Sequence, residues 1–172
     1  GFARKIHVEA SRMIQLVNDI LQLSHLDNVS ETGAAPAMET VDLLDVAREC
    51  VERQKVNARH SYISLTYLGE SAPVTGSRVL LDELCQNLCD NAIRYNRPGG
   101  KVQIITACTR DGHCTLTVKD NGIGIPKEAQ TSVFERFYRV DKSRSKATGG
   151  TGLGLAIVLS LIHISEPTRR RG

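Results

Sequence analysis

The stretch Asp120-Asn121-Gly122-Ile123-Gly124 ends a strand-like run, and a second glycine cluster, Gly149-Gly150-Thr151-Gly152-Leu153-Gly154-Leu155, opens a helix-like one. An aspartate at a strand end can accept a hydrogen bond from an amine on a nucleobase, and flanking glycines let the backbone approach the ligand. The second cluster places backbone amides at a helix N-terminus, where phosphate binds. Together the two clusters predict a nucleotide pocket.

Length and composition limit the alternatives. The chain has 172 residues, of which 41% are hydrophobic, enough for one domain and an appendage. A formal net charge of +3 is too small to favour nucleic acid as a partner. No stretch approaches the roughly 18 apolar residues of a membrane span. We therefore expect a cytoplasmic portion, with any membrane anchor encoded upstream.

The cysteines indicate a reducing compartment. They are five in number and scattered, without a C-x-x-C pair: Cys50, Cys85, Cys89, Cys108 and Cys114. This pattern is typical of reduced cytoplasmic thiols. Cys85 and Cys89 lie one helical turn apart, but they fall on the apolar side of their helix and no nearby histidine completes a metal site.

The first 27 residues predict an amphipathic helix. Ile6, Met13 and Ile20 recur every seven residues within a wide apolar face, which a lone helix cannot bury. We expect a helical hairpin or bundle completed by upstream residues, by a second chain, or by both. Residues 28–40 lack periodicity and are interpreted as a linker.

After the linker the pattern is mixed, so the fold class is α+β. We predict helices from about Leu43 to Asn57 with Asp42 as cap and from Ser77 to Asn96, and strands at Ser61–Leu68, Lys101–Thr109 and Cys114–Lys119. Asp111-Gly112 indicates a hairpin between the last two strands. The polar segment from Asn121 to Gly150 has one short helical pattern opened by Pro126, and its length is typical of a functional lid.

The predicted helix from Ser77 to Asn96 has a polar stripe. Asn87 and Asn91 lie one turn apart on its polar side, and Arg94 follows one turn later. A solvated face is the plain alternative, but asparagine is a poor helix former that a surface does not need. Amide oxygens suit Mg²⁺, which keeps waters and binds substrate phosphates along with few protein groups. Arg94 can contact phosphate through several donors.

The lid segment is basic. From Ile125 to Gly150 six basic residues face three acidic ones, which suits a cover that closes over a polyphosphate, although a charge run is usually only solvated. The basic residues are Lys127, Arg136, Arg139, Lys142, Arg144 and Lys146.

Other nucleotide motifs fit badly. The second glycine cluster lacks the Lys-Ser/Thr ending of a P-loop and the spacing of a dinucleotide-binding turn. The His-Arg-Asp and Asp-Phe-Gly motifs of protein kinases are absent from the sequence.

Four short sequences in order resemble the boxes of bacterial sensor histidine kinases, a branch of the ATP-binding fold shared with gyrase. Residues Leu84–Tyr95 are similar to the N box, Asp120–Gly124 to the G1 box, Val133–Arg139 to the F box and Gly150–Leu155 to the G2 box. The resemblance implies a two-layer α/β sandwich preceded by one long helix of a dimerisation helical hairpin. It assigns 1–28 to that helix, 29–40 to the linker and 41–158 to an incomplete catalytic ATP-binding domain.

The resemblance also implies site residues, with ATP and Mg²⁺ as cofactors. Asn91 and Asn87 would approach the metal, and Asn87, Arg94, Arg136 and Arg139 would act in phosphate transfer. Asp120 would bind the adenine amine. The full cofactor-binding set is Asn87, Asn91, Arg94, Tyr95, Asp120, Gly122, Gly124, Gly150, Thr151, Gly152, Leu153 and Gly154.

The function implied is transfer of the ATP γ-phosphate to a protein histidine. In hydrolysing relatives a glutamate that activates water takes the place of Asn87, and an amide cannot serve as a general base. The implied partners are a homodimer through the N-terminal hairpin and a response regulator receiver domain. The alternatives are a nucleotide-binding regulatory module, an ATPase of the same fold, or a serine kinase, which the long first helix disfavours.

The sequence departs from the family at both ends. None of the five histidines lies in a His-Asp/Glu-x-x-x-Pro setting, so the accepting histidine is expected elsewhere, and His7 and His25 are interpreted as ordinary helix residues. Residues 159–172 resemble a non-native tail rather than the family's closing strands. We expect a fragment truncated at both ends, with an unpaired sheet edge, weak stability and a tendency to associate.

Overall fold

The computed structural model of the protein describes residues 2–33, 36–140 and 150–157. The chain forms two compact units, one from residues 1–35 with 125–172 and the other from residues 36–124. The predicted catalytic domain, 41–158, is thus divided after Gly124, because the later segment contacts the N-terminal helix: Arg136 binds Asp27 and Thr151 binds Asp19. The functional extent of that domain stays a prediction.

The first unit is built on helix α1, Phe2–Thr32. The helix runs past the predicted end at residue 28, so the prediction of a linker over 29–40 is wrong in part. Its last turn continues beyond the apolar periodicity, and there the Thr32 hydroxyl donates to the Asn28 carbonyl. The helix ends at Gly33, whose φ of +64° is the left-handed conformation that glycine favours and whose amide donates to Val29.

The apolar face of α1 is largely uncovered. Leu23 and Leu26 are buried, whereas the apolar residues of the first two thirds are exposed: Phe2, Ile6, Val8, Met13, Ile14, Val17, Ile20 and Leu21. Within the described residues, the predicted need of this helix for a partner is therefore not met.

The second unit is a two-layer α/β arrangement. Its elements are β1 (Glu39–Asp42), α2 (Leu43–His60), β2 (Ser64–Gly69), β3 (Pro73–Gly76), α3 (Arg78–Arg94), β4 (Lys101–Cys108) and β5 (Cys114–Asp120). β2 pairs in parallel with β4, β4 pairs antiparallel with β5, and β1 pairs antiparallel with β3. The predicted α+β class and sandwich are confirmed.

Two of these strands, β1 and β3, are missing from the prediction. Each has four residues, too few to show alternation, and they pair across more than 30 positions of sequence. Each leads directly into a helix whose cap was predicted. Asp42 accepts from the Leu44 amide at 2.9 Å, and Ser77 accepts from the Leu80 amide at 3.5 Å.

Asp42 also links these elements to the loop before β3. Its carboxylate accepts from the Ser71 hydroxyl at 2.6 Å and from the Ala72 amide at 2.8 Å. The Ser71 hydrogen bond, followed by those from Ala72 and Leu44, lowers the pKa of this carboxyl. The helix cap therefore remains ionised at neutral pH.

The core lies between the two helices and the three-stranded sheet. Val46, Cys50 and Cys89 of the helices are fully buried against Val102 and Ile104 of β4. The buried stripe of α3 consists of Leu80, Cys85, Cys89, Ala92 and Ile93. The sequence pattern predicts an apolar stripe of Leu81, Leu84, Cys85, Leu88 and Ala92. The buried stripe is rotated in part from it, since Leu81, Leu84 and Leu88 are only half-buried.

The cysteines depart from the prediction of five reduced thiols. Cys108 and Cys114 form a disulfide across the last register pair of β4 and β5. Sequence spacing does not reveal this pairing, because the hairpin register brings the two residues opposite each other. Cys50, Cys85 and Cys89 are unpaired and buried. Hydrogen bonding with Cys50, then burial, raises the pKa of the Cys85 and Cys89 thiols, so they remain neutral core groups.

Residues 121–140, which follow β5, have little regular structure. The helical pattern opened by Pro126 forms two short 3-10 turns, Lys127–Ala129 and Ser132–Phe134. Residues 141–149 of the lid, and the tail predicted to be non-native, lie outside the described residues. In the described part of the chain, no helix is both long and apolar enough to cross a membrane, and β5 pairs with a strand on one side only.

Candidate nucleotide site

The two asparagines in the polar stripe of α3, Asn87 and Asn91, differ in their hydrogen bonding. Both are half-buried. The Asn87 amide nitrogen donates to the Glu83 carbonyl at 2.9 Å, which fixes the side chain along its own helix. Over residues 2–33, 36–140 and 150–157, the Asn91 side chain has no hydrogen-bond partner. Its amide oxygen is therefore available to a ligand, as is that of Asn87.

Arg94 and Tyr95 lie at the end of the same helix. The Arg94 guanidinium donates to the Asp90 carboxylate at 2.8 Å, one turn back. Tyr95 is the C-cap of α3. The stripe is thus half-buried along its length and not the fully solvated face of the plain alternative.

The predicted base-binding loop is joined to this end of α3. The Ile123 amide donates to the Tyr95 carbonyl at 3.1 Å. The Asp120 carboxylate accepts from the Gly122 amide at 2.8 Å, and the residue is exposed. Because only one of its oxygens is engaged by Gly122, the other can accept from a ligand. The structure therefore brings Asp120 and Tyr95 to one region of the second unit.

Two further residues, which the sequence did not indicate, fix this loop. The Asn121 side chain accepts from the Lys101 amide at 2.7 Å, and the Asn96 side chain donates to the Lys101 carbonyl at 3.2 Å. The available signal was the position of each asparagine shortly before a glycine, at Asn96 and Asn121. Asparagine side chains often replace backbone hydrogen-bond partners in turns.

The remaining predicted residues belong to the first unit. Phe137 donates its amide to the Gly152 carbonyl at 3.0 Å, so the F and G2 boxes are in contact. Gly152 has φ +77°, and a Cβ there would lie 3.0 Å from Phe137 backbone atoms. Leu153 is buried and begins a helical turn at 154–157, with its amide donating to the Thr151 hydroxyl. Glycine is thus favoured at position 152 both by the positive φ and by the closeness of the Phe137 backbone.

The two predicted arginines of the F box have different surroundings. Arg136 is exposed and bound to Asp27 of α1. Arg139 is half-buried, and its Nε lacks a hydrogen-bond partner among the described residues. A cavity of about 370 Å³ beside it is lined by Glu9, Arg12, Met13, Leu16, Phe137, Arg139, Gly150 and Thr151.

Gly122 offers a test of the loop geometry. A Cβ at this position would lie 2.5 Å from the Tyr95 carbonyl oxygen, so Gly122→Ala must displace the loop that holds Asp120. Overpacking of this kind costs about 1–3 kcal/mol, and we expect roughly tenfold weaker ATP binding, measured by calorimetry. Gly124→Ala is the matched control: its Cβ meets nothing within 4 Å, although its φ of +70° adds backbone strain. Equal effects of the two substitutions would show that the contact with Tyr95 does not matter.

Comparison with known proteins identifies the family. Residues 76–168 match the family described as histidine kinase-, DNA gyrase B-, and HSP90-like ATPase. The chain belongs to this family. It is 44% identical over 162 residues to the sensor-like histidine kinase SenX3 of Mycolicibacterium smegmatis, covering 91% of this chain and 40% of the relative. The resemblance inferred from the four boxes is confirmed.

Solved structures agree on the fold. A mycobacterial sensor histidine kinase, MprB, is 34% identical with a TM-score of 0.62, over 74% of this chain and 79% of that one. Full-length ShkA in complex with AMPPNP is 26% identical with a TM-score of 0.72, over 91% of this chain and 32% of that one. The chain thus spans less than half of SenX3 and of full-length ShkA.

Proposed function

We propose that this chain is the ATP-binding catalytic part of a protein-histidine kinase of a two-component system. In the proposed reaction it transfers the γ-phosphate of ATP to a histidine on another segment. The observation that carries the proposal is the hydrogen bond from Ile123 to Tyr95, which holds the Asp120 loop at the end of the helix that bears Asn87 and Asn91. The Asp120 carboxylate, which would accept from adenine, and the amide oxygens of Asn87 and Asn91, which would bind a metal, then belong to the same unit of the protein.

We assign recognition of the adenine base to Asp120. The carboxylate oxygen not engaged by Gly122 accepts from the exocyclic amine of adenine. Gly122 and Gly124 allow the backbone to pass close to the base. Gly122 supports this role, because its missing Cβ is what permits the contact with the Tyr95 carbonyl.

The phosphates and the metal are assigned to α3 and to the F and G2 boxes. The donor set fits Mg²⁺, since neutral amide oxygens from Asn91 and Asn87 are hard ligands and leave room for phosphate oxygens and waters. In the described part of the chain, no cluster of three or more acidic, histidine or cysteine residues could hold a metal by itself. A metal here would therefore arrive with the nucleotide, and it would neutralise the phosphate charge.

The chain's own residues would position the phosphates. We assign Arg94, Tyr95, Arg136, Arg139 and the backbone of residues 150–154 to phosphate oxygens as hydrogen-bond donors, and the three arginines also neutralise charge. Asn87 supports transfer over hydrolysis, because its amide cannot take a proton from water. Fixed by Glu83, it can orient a phosphate or a metal-bound water.

A homodimer and a response regulator belong to the proposal. The exposed apolar face of α1 supports the dimer, because eight large apolar side chains on one helix favour burial against another helix. The relatives are named sensor histidine kinases, which supports a receiver domain as the next phosphate acceptor.

The test is phosphate transfer to a separate acceptor. The chain is mixed with a helical hairpin that carries a His-Glu-x-x-x-Pro motif, and acid-labile label from [γ-³²P]ATP is followed with and without Mg²⁺. We expect Mg²⁺-dependent labelling of the hairpin. Steady hydrolysis without labelling would favour an ATPase, and ADP binding without either reaction would favour a regulatory nucleotide-binding module.

A further inference from the structure

Two carboxylates of α1 bind side chains of two different sequence boxes. The Arg136 guanidinium of the F box donates to both oxygens of Asp27, at 2.9 and 2.8 Å. The Thr151 hydroxyl of the G2 box donates to Asp19 at 2.6 Å. Neither aspartate is among the site residues predicted from the sequence.

These bonds use the groups that a phosphate would use. A carboxylate and a phosphate present the same kind of anionic oxygen acceptor, and here the Nη2 nitrogen of Arg136 donates to both oxygens of Asp27. The Thr151 hydroxyl has one proton to donate. Neither side chain can therefore make its present contact with α1 and the same contact with a phosphate.

The spacing of the two aspartates makes them act together. They are eight residues apart on one helix, which places them about 12 Å apart along its axis and about 80° apart around it. Asp19 is half-buried, as is Asp27, so both point to the side of α1 that is covered in the first unit. One rigid helix thus holds the F box and the G2 box at once.

We propose that α1 competes with the nucleotide phosphates for Arg136 and Thr151, through Asp27 and Asp19. The inference rests on the proposed function, which assigns Arg136 and the backbone of residues 150–154 to phosphate oxygens, and it adds the Thr151 hydroxyl to these donors. A movement of α1 that separates the carboxylates from the boxes then raises the affinity for the triphosphate.

The two contacts, Arg136 with Asp27 and Thr151 with Asp19, are weak enough to break and re-form. We call this pair of contacts the lock. The side chains of Arg136 and Asp27 are 51% and 43% exposed, and ion pairs in such positions contribute little because water and salt screen them. Nucleotide binding can therefore break them, at a cost of about two- to fivefold in affinity.

Asp27→Ala tests the lock, with Glu31→Ala as its matched control. Glu31 lies one turn further along α1, is exposed, and has no partner among residues 2–33, 36–140 and 150–157. Both substitutions remove one negative charge and introduce the best helix former, so α1 is retained. Binding of Mg²⁺ with AMPPNP, and separately of ADP, is measured by calorimetry on the whole chain.

Asp27→Ala is expected to bind AMPPNP about two- to fivefold more tightly than the unmodified chain, while Glu31→Ala binds it equally. The gain should be smaller for ADP, which has one phosphate fewer to compete with Asp27 for Arg136. In an Arg136→Gln background the gain should disappear, since the two side chains would act through one contact.

The outcomes separate this inference from the proposed function. If the unmodified chain binds AMPPNP and Asp27→Ala binds it no better, the lock is wrong and the nucleotide site stands. An equal gain in AMPPNP affinity for Asp27→Ala and Glu31→Ala would also overturn the lock, because the gain would then come from the change in net charge. If the unmodified chain and every variant bind no nucleotide, the proposed function itself fails.

Discussion

Asp120→Asn is expected to weaken ATP binding by about 100-fold without unfolding the protein. The Gly122 amide holds one oxygen of Asp120, and in the variant it would hold the amide oxygen in the same way. The amide nitrogen of the new side chain then faces the adenine amine, so two donors meet where a donor and a charged acceptor met. A hydrogen bond to a charged group contributes about 1.5–3 kcal/mol, and its loss leaves the amine unsatisfied.

The same variant makes a prediction about the base. A donor at position 120 suits a base with a carbonyl in place of the amine, so Asp120→Asn should prefer ITP over ATP, whereas the unmodified chain prefers ATP. Asp45→Asn serves as the control, because among the described residues the Asp45 side chain is bonded only to Arg48 of α2, in a surface ion pair. Calorimetric titration of both nucleotides measures the preference. An unchanged preference for ATP in Asp120→Asn would show that Asp120 does not bind the adenine base.

Asn91→Ala is expected to slow phosphate transfer by about 100- to 1,000-fold. The proposal makes its amide oxygen a ligand of the metal, and stabilisation of transferring phosphate by a metal is worth several kcal/mol, with each 1.4 kcal/mol equal to tenfold in rate. The side chain has no hydrogen-bond partner among the described residues, so its removal should leave the stability of α3 nearly unchanged.

The Mg²⁺ dependence separates a metal ligand from a structural residue. For Asn91→Ala the Mg²⁺ concentration that gives half the maximal rate should rise, while the midpoint of thermal unfolding stays the same. Asn57→Ala is the control, an exposed asparagine of α2 whose side chain, within the described part of the chain, bonds only Gln54. If Asn91→Ala transfers phosphate at the normal rate and Mg²⁺ concentration, Asn91 is not a metal ligand.

Local rules of sequence were sufficient for several parts of the second unit. Asp42 and Ser77 cap the predicted helices because their side-chain oxygens replace missing backbone partners within two or three residues. The hairpin of β4 and β5 turns at Gly112, whose φ of +88° favours glycine. Such features depend on neighbours in the chain, so the sequence alone indicates them.

Features that depend on distant residues were missed or placed inaccurately. β1 and β3 exist only as a pair, and the Cys108–Cys114 bond follows from a strand register. The end of α1 was placed too early because apolar periodicity stops before the helix does. Gly33, which ends it, was visible in the sequence as the residue able to take a positive φ.

The sequence by itself determined the family and the candidate nucleotide residues, because four short boxes keep fixed residue types in a fixed order. Only the tertiary structure showed that Asn91 lacks a partner in the described part of the chain, that the Tyr95 carbonyl holds the Asp120 loop, and that Asp19 and Asp27 bind Thr151 and Arg136. The physical reason is range. A motif records which groups a residue carries, whereas folding decides which of those groups are already bonded to residues far away in the chain.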